Sequence, residues 1–190
     1  MKVIITKLTS QELIAKAMSY TSDSKVKLSD RVVNQMYNSE HSPIRTQIYM
    51  VEMLNVPTFV SVHFVRHSIG ITHYVKSNRT DRQNVDTVAD RNTLVNHMMI
   101  LNAQALINIA RKRLCFKASK ETREVMEQIV LELAKQGDIL ADYLMPQCWY
   151  RGGECHEQNR CFVCNGYKNT DSYKNRLLSL KGEWFDELEG

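Results

Sequence analysis

From Val60 to Arg82 the chain reads VSVHFVRHSIGITHYVKSNRTDR, an apolar run followed closely by Arg66, Arg79 and Arg82 and by the imidazoles His67 and His73. Charges are costly to bury unpaired. A core-anchored segment that ends in cations is therefore either an ion-pair network, with Asp81, Asp86 and Asp90 at hand, or a site for an anion. Arginine suits a phosphate because its planar fork of donors meets two anionic oxygens at once, and His41 could join Arg66, His67, Arg79 and Arg82 around such a ligand. Further on, Asn102, Gln104, Asn108 and Arg113 interrupt an otherwise apolar pattern. Amides at core depth need partners, and these are either protein groups or the rings and sugars of a bound nucleotide.

The third chemical group is a cysteine set, Cys148, Cys155, Cys161 and Cys164, spaced C-x6-C-x5-C-x2-C with His156 beside Cys155. The closing C-x2-C resembles the chelating pairs of structural zinc sites, while the first two spacings are looser than the common paired pattern. Zinc bound by the four thiolates, buried thiols and a redox disulfide all remain open readings. Cys115 stands apart in an apolar pattern and reads as packing. The odd total of five cysteines, four of them in one run, does not resemble an extracellular disulfide framework. There is no Walker A motif, no dinucleotide-binding glycine pattern, and no Ser-His-Asp arrangement recognisable by spacing.

The elements that must position these residues follow from periodicity. Val3-Ile4-Ile5 favours a strand. Ser10 caps a helix over 11–18, with 19–24 a loop, and Ser29 or Asp30 caps a second helix through Tyr37. Residues 38–43 form a turn. Thr46 to Leu54 reads as a central strand, because both of its faces are partly apolar. Pro57 opens the Val60–Arg82 stretch, whose apolar start is a helix start or a short buried strand. Leu94 to Cys115 reads as the longest helix, with an apolar face wide enough for burial on two sides. A second long helix runs from Ser119 or Lys120 to Leu144, with Gly137 a weak point, and Pro146 ends it. Residues 167–190 carry a helical pattern, with Trp184 and Phe185 as a packing hook.

At 190 residues and 43% hydrophobic composition, with three prolines and seven glycines, the chain predicts one ordered, helix-rich domain with a small appendage. A net charge of +4 is no nucleic-acid signature and is compatible with a small anionic ligand. No run of eighteen apolar residues is present, and the N-terminal stretch lacks a secretory apolar region, so a cytoplasmic protein without a membrane span is expected.

Taken in order, these residues resemble the flavin-dependent thymidylate synthases. The family signature is Arg-His-Arg, seven or eight residues, then Ser-x-Arg. Here Arg66-His67-Ser68 is followed by eight residues and Ser77-Asn78-Arg79, so Ser68 stands in place of an arginine. His41-Ser42-Pro43 is similar to the family's upstream His-x-Ser/Thr-Pro segment. LNAQALINIARKRL resembles its Asn-x-Arg helix, with Gln104 in place of arginine, and Ala118 to Arg123 resembles Ala-Gln-x-Glu-x-Arg.

The resemblance implies an α/β (α+β) fold, a helix-rich subunit with a small mixed or antiparallel sheet. Residues 1–146 would form the enzyme domain and 147–190 a Cys-rich extension packed on it. It implies a homotetramer with FAD at subunit junctions and no nucleic-acid partner. The implied reaction is reductive methylation of dUMP to dTMP, with methylenetetrahydrofolate as carbon donor and NADPH as reductant. Carried over, His41, Arg66, His67, Ser68, Asn102, Gln104 and Asn108 would face FAD, while Ser77, Arg79 and Arg113 would face the nucleotide, Ser77 and Arg113 assisting catalysis. Neutral residues at 68 and 104 forfeit two cations near the flavin. FAD would then lean on Arg82 or Arg45, or the reaction has diverged, for example to C5 hydroxymethylation of dUMP or dCMP. A zinc-stabilised nucleic-acid-binding module is the remaining alternative.

Overall fold

A computed structural model describes residues 1–77, 90–161 and 172–186, with side chains up to Ser179 in the last helix. Its centre is a four-stranded antiparallel sheet of order β1–β2–β4–β3, formed by β1 (Lys2–Lys7), β2 (Ile48–Pro57), β4 (Leu94–Asn102) and β3 (Ile71–Val75). As the alternation in 46–54 implies, β2 is a central strand. Tyr49, Val51 and Met53 are fully buried on one face, and they pair across to Leu101, Met99 and His97 of β4. Asn55, at positive φ, sits where the β2–β4 register shifts between Met53 and Val56. An extra residue of this kind locally disrupts the ladder and increases the twist of a strand.

Around the sheet lie α1 (Glu12–Ser22), α2 (Asp30–Asn38), α3 (Thr58–Val65), α4 (Ala103–Arg113), α5 (Lys120–Lys135), the short α6 (Gln147–Tyr150) and α7 (Tyr173–Asp186). Of the two candidate caps it is Ser29 that caps α2, its side chain accepting from Val32 N. The first helix begins after Ser10 but continues to Ser22, so 19–24 is mostly helical and not a loop. The apolar start of the Val60–Arg82 stretch is helix α3, which buries Val60, Ser61 and Phe64.

Two further expectations are corrected. The span 94–115 is not one helix. Val95, His97, Met99 and Leu101 alternate inward along β4, and Asn102 ends the strand by accepting a hydrogen bond from Ala105 N at 2.9 Å, which caps α4. The half-buried Met98 and Ile100 on the opposite face of β4 produced the apparent wide helical stripe. The span 119–144 also breaks. Gly137, at φ +67, follows the end of α5 and donates to Ala134 O, while Asp138 N donates to Leu133 O, the paired bonds of a Schellman stop. Residues Ile139–Tyr143 then form a separate 3-10 turn.

Asp138 joins this stop to the sheet. Its carboxylate accepts from Lys7 Nζ at 3.0 Å, from Tyr49 Oη at 3.1 Å and from Leu140 N at 2.9 Å. Burial, with Tyr37 and the Asp138 carboxylate beside it, pushes the Tyr49 hydroxyl far above its ordinary range, so it remains a donor. The tail shares the core. Cys148, Trp149, Tyr173 and Leu177 are buried, Trp149 meets Tyr173 edge-on at 5.2 Å, and Lys174 pairs with Asp142 at 2.6 Å. The packing expected of Trp184 and Phe185 lies outside the described side chains.

Removing the Asp138 carboxylate leaves a half-buried ammonium and a buried phenol unpartnered. Asp138→Ala should therefore lower the unfolding free energy by about 2–3 kcal/mol. Gly137→Ala, which meets open space but keeps the positive φ, should cost only about 1 kcal/mol. Urea denaturation of the two variants measures both, and equal losses would sink this account of the stop.

Candidate active site

The site is built where α3 and α4 both end. Arg66 caps α3, and His67 N donates to Phe64 O at 2.9 Å as the helix closes. The loop then turns at Gly70, φ +74, whose carbonyl accepts from Asn102 N at 3.3 Å. A Cβ on residue 70 would stand 2.7 Å from Asn102 Nδ2, so only glycine lets this loop lie against the start of α4. Arg113, the last residue of α4, reaches across to the end of α3. Its Nη2 donates to His63 O at 2.6 Å and its Nε to His67 Nε2 at 3.0 Å.

That second bond fixes the chemistry of His67. A guninidinium only donates, so Nε2 must carry the lone pair. Burial first, then the charges of Arg113, His73 and Lys112, lower the His67 pKa to about 4, so the ring is neutral near pH 7 and its proton sits on Nδ1. His67 is therefore a neutral N–H donor, not a base. Arg113 is held by burial, and next by Arg66, below its ordinary pKa; it remains charged. Its two protein partners are a carbonyl and an imidazole, neither of them anionic.

Behind this pair runs a line of histidines. His73 Nε2 meets His67 O at 2.7 Å, His73 Nδ1 meets His97 Nε2 at 3.0 Å, and His97 Nδ1 meets Ser61 Oγ at 3.0 Å. His63 Nδ1 lies 2.8 Å from Thr122 Oγ1, which lies 2.8 Å from the capping Ser119 Oγ of α5. Burial, followed by Arg113 and Arg66, lowers the His63 pKa.

A second polar cluster lies along α4. Gln104 donates to Glu40 Oε2 at 2.6 Å and is 3.5 Å from Asn108 Oδ1, and Arg111 pairs with the same Glu40 carboxylate while stacking 3.6 Å over the Tyr150 ring. Residues 104, 108 and 111 make one stripe of the helix. Asn102, in contrast, belongs with the Gly70 loop. His41 is exposed beside Glu40, at the start of the 3-10 turn Ser42–Thr46.

The remaining candidates are spread out. Ser68 is exposed in the loop after α3. Ser77 is exposed beyond β3, four residues past His73 and hence about 13 Å along the strand direction, and it is not among the groups that Arg113 bonds. Arg79, Arg82 and the carboxylates of Asp81 and Asp86 lie outside the described residues. Cys148, Cys155 and Cys161 line one cavity of about 250 Å³, together with Cys115, which the sequence had left as mere packing, and with Arg111, Arg113 and Arg151. Cys164 lies outside the described residues, and among those described no three His, Cys, Asp or Glu side chains are grouped to hold a metal ion. No helix among the described residues is long and apolar enough to cross a membrane.

Sequence reasoning overlooked Ser61, His63, His97, Glu40 and Arg111. Period-two alternation through His97 was the one signal that could have exposed it, since it places that histidine on the buried face of a strand.

Comparison of the sequence with protein-family models finds no match, and neither does comparison with curated proteins. Solved structures do match. Thymidylate synthase X from Helicobacter pylori, with FAD and dUMP, superposes with TM-score 0.62 at 16% identity over 76% of this chain and 99% of that chain. A second structure of the flavin-dependent enzyme from Helicobacter pylori, complexed with FAD and dUMP, gives TM-score 0.61 at 16% identity over 76% and 100% of the two chains. The UMP/dUMP methylase PolB from Streptomyces cacaoi, bound with 5-Br dUMP, gives TM-score 0.54 at 13% identity over 77% and 97%. The chain thus has the fold of the flavin-dependent thymidylate synthases, a helix-rich subunit on a small antiparallel sheet.

The histidines make the fold sensitive to acid. His67 and His97 both titrate at about 4 in the folded chain, depressed from 6.5 chiefly by burial. Between those values the unfolded chain binds protons that the folded chain refuses. Stability is therefore fully present above pH 6.5 and falls as pH drops towards 4, by on the order of 1–3 kcal/mol from the buried His97. In His97→Gln the fall in urea midpoint between about pH 7 and pH 4.5 should be shallower than in the unaltered protein. An identical slope would remove His97 from this account.

Proposed function

We propose that the protein is a flavin-dependent enzyme that modifies C5 of a pyrimidine deoxynucleotide monophosphate, by reductive methylation of dUMP to dTMP. The observation that carries this reading is the end-to-end meeting of α3 and α4. Arg113 lies close enough to Arg66 for their charges to interact, no carboxylate among the described residues pairs with either, and neutral His67 stands beside them on a fold shared with enzymes solved with FAD and dUMP. Arg113 is partly desolvated with no counter-charge among the described residues, so an anion is a favourable partner for it and for the exposed Arg66 beside it. The glycine at 70, whose Cβ would strike Asn102, keeps the loop between them pressed onto α4.

These residues fit FAD and a nucleotide. Arg66, His67 and Ser68 at the loop, with Asn102, would hold the flavin, and FAD, when bound, supplies the hydride chemistry. His41, Gln104 and Asn108 would meet it at the Glu40 end. His67 offers Nδ1–H to an acceptor. Arg113 spends two of its five N–H donors on His63 and His67, which leaves three for carbonyl oxygens where negative charge develops as the pyrimidine ring is activated. Ser77 and Arg79 would position the nucleotide, with Arg79 gripping its phosphate. The balance is dUMP, methylenetetrahydrofolate, NADPH and one proton giving dTMP, tetrahydrofolate and NADP⁺.

Because Ser77 lies beyond β3 and is not among the groups Arg113 bonds, we infer that the site is shared between copies in a homotetramer. The open face of the sheet supports this, since Ile4, Ile48, Met50, Met98 and Ile100 are only half-buried there. Residues 147–190 would be an extension on the enzyme domain. The matched structures use nearly their whole length on 76% of this chain, leaving about a quarter without counterpart, the size of that extension.

Hydroxymethylation of dUMP or dCMP is the second reading, favoured by the neutral Ser68 and Gln104. Methylation oxidises one NADPH per product, whereas adding a hydroxymethyl group takes water and no net reductant. The purified protein should take up FAD and turn yellow. Incubation with dUMP or dCMP, methylenetetrahydrofolate and NADPH, followed by mass spectrometry, should give a gain of one methylene. A hydroxymethyl-sized gain without NADPH loss selects the second reading, and a protein that takes up no FAD rejects both.

Arg113→Ala should lower turnover by about 10²–10³-fold. Mixing it with Ser77→Ala through a denaturation–renaturation step should restore roughly a quarter of normal activity if each site draws the two residues from different copies. Mixtures no more active than the separate variants would refute the shared site.

A further inference from the structure

His73 and His97 meet because of strand register. His73 lies opposite Met99, so His97, two residues along β4, is its diagonal neighbour on the same face of the sheet. The order of hydrogens along the line that follows is not free. The His67 carbonyl can only accept, so His73 must carry its proton on Nε2. In the neutral ring, His73 Nδ1 then accepts, which requires His97 to donate from Nε2. His97 Nδ1 is thereby left to accept the Ser61 hydroxyl. Each donor has one acceptor and each acceptor one donor. Ser61 is 2% and His97 1% exposed, so water does not stand in for a missing partner.

The two ends of this line lie on the same stretch of chain. Ser61 is in the middle of α3 and His67 is two residues beyond its end, so the line runs from α3 through β4 and β3 back to the loop that α3 feeds. Arg113 holds His67 from the other side, by the ring. One bond alone would leave the residue free to pivot, whereas a carbonyl bond and a ring bond together fix both its backbone and its plane.

We propose that Ser61, His97 and His73 form a positioning relay that holds His67 by its carbonyl, so that the ring turns Nε2 to Arg113 and presents Nδ1–H to the ligand. His73 and His97 are positioning residues, not groups that touch the ligand. The relay also specifies what His67 recognises, namely a hydrogen-bond acceptor such as a carbonyl oxygen or an unprotonated ring nitrogen. This last point rests on the proposed flavin and nucleotide site; the relay itself does not.

Long-range ¹H–¹⁵N correlation spectra of the labelled full-length protein at about pH 7.5 read the tautomers directly. His73 and His97 should be protonated at Nε2 and His67 at Nδ1. A His97 protonated at Nδ1, or a His67 protonated at Nε2, overturns the relay in the unaltered protein, whatever the variants do. His73→Gln keeps a donor near the Nε2 position and should leave His67 as Nδ1–H, with FAD affinity within about twofold. His73→Phe removes the donor and should leave His67 a mixture of tautomers, with FAD bound about tenfold more weakly. An unchanged His67 tautomer in a folded His73→Phe protein refutes the positioning role. If the unaltered protein shows the expected tautomers but no affinity for FAD, the flavin reading fails while the relay stands.

Discussion

Arg113 spends one donor on the carbonyl that ends α3 and another on the ring that follows it, and the site depends on this junction of two helix ends. A cation at a helix C-terminus is stabilised by the unsatisfied carbonyls there, so the end of α3 is a favourable place for the guanidinium of α4 to dock. The cost is that Arg113 is partly desolvated and faces Arg66. Neither burden is relieved by a carboxylate among the described residues. The junction is therefore held with positive charge left over among the described residues, and under the proposed function that surplus would attract an anionic ligand.

The sheet exists, in functional terms, to hold α3 and α4 at the distance this junction requires. β2 runs directly into α3, and β4 runs directly into α4. The paired register of β2 and β4 thus fixes where both helices start, down to Pro57 opposite Leu94 and Ile48 opposite Asn102. Their lengths then decide where they end. β3 completes the arrangement by returning from the Gly70 loop along β4, which sets His73 beside His97.

Much of this was legible in the sequence, and the parts that were not share one cause. Local pattern left Ser29 and Asp30 both open as caps, and a helix or a short strand after Pro57, which the structure resolves as Ser29 and helix α3. The central strand 46–54 followed from local pattern. The strand 94–102 did not, because a strand with two apolar faces running without a turn into an amphipathic helix has no punctuation other than Asn102. Both asparagine as a cap and asparagine as a buried amide were consistent with that position, and only the hydrogen bond to Ala105 N distinguishes them. Once β4 was read as helix, His97 lost its partners, and the relay with His73 could not be found. Arg66 and His67 of the motif and Arg113 of α4, which the structure brings together, stood out because their types alone demand an explanation. Glu40 did not, since a lone glutamate in a turn reads as solvated until Gln104 and Arg111 are seen to converge on it.

The two neutral residues that stand where the resemblance expects arginine can now be weighed differently. Ser68 is exposed in the loop, and its change simply removes a cation. Gln104 is different, because its amide is spent on Glu40, the carboxylate that also holds Arg111. An arginine at 104 would leave that cluster with a net positive charge; the glutamine leaves one carboxylate against one guanidinium and the cluster neutral. The Glu40 cluster spans the helix from Gln104 to Arg111, and the uncompensated positive charge among the described residues then lies at the C-terminal end of α4, around Arg113 and Arg66. Under the proposed function, a ligand with one strongly anionic group and a long, weakly polar remainder would be oriented by that asymmetry, its charge drawn to the Arg113 end and its neutral part along the Gln104–Asn108 stripe. Electrostatic attraction there falls with added salt, whereas hydrogen bonds to the amides do not, so the two ends of the helix would contribute to such recognition by different physics.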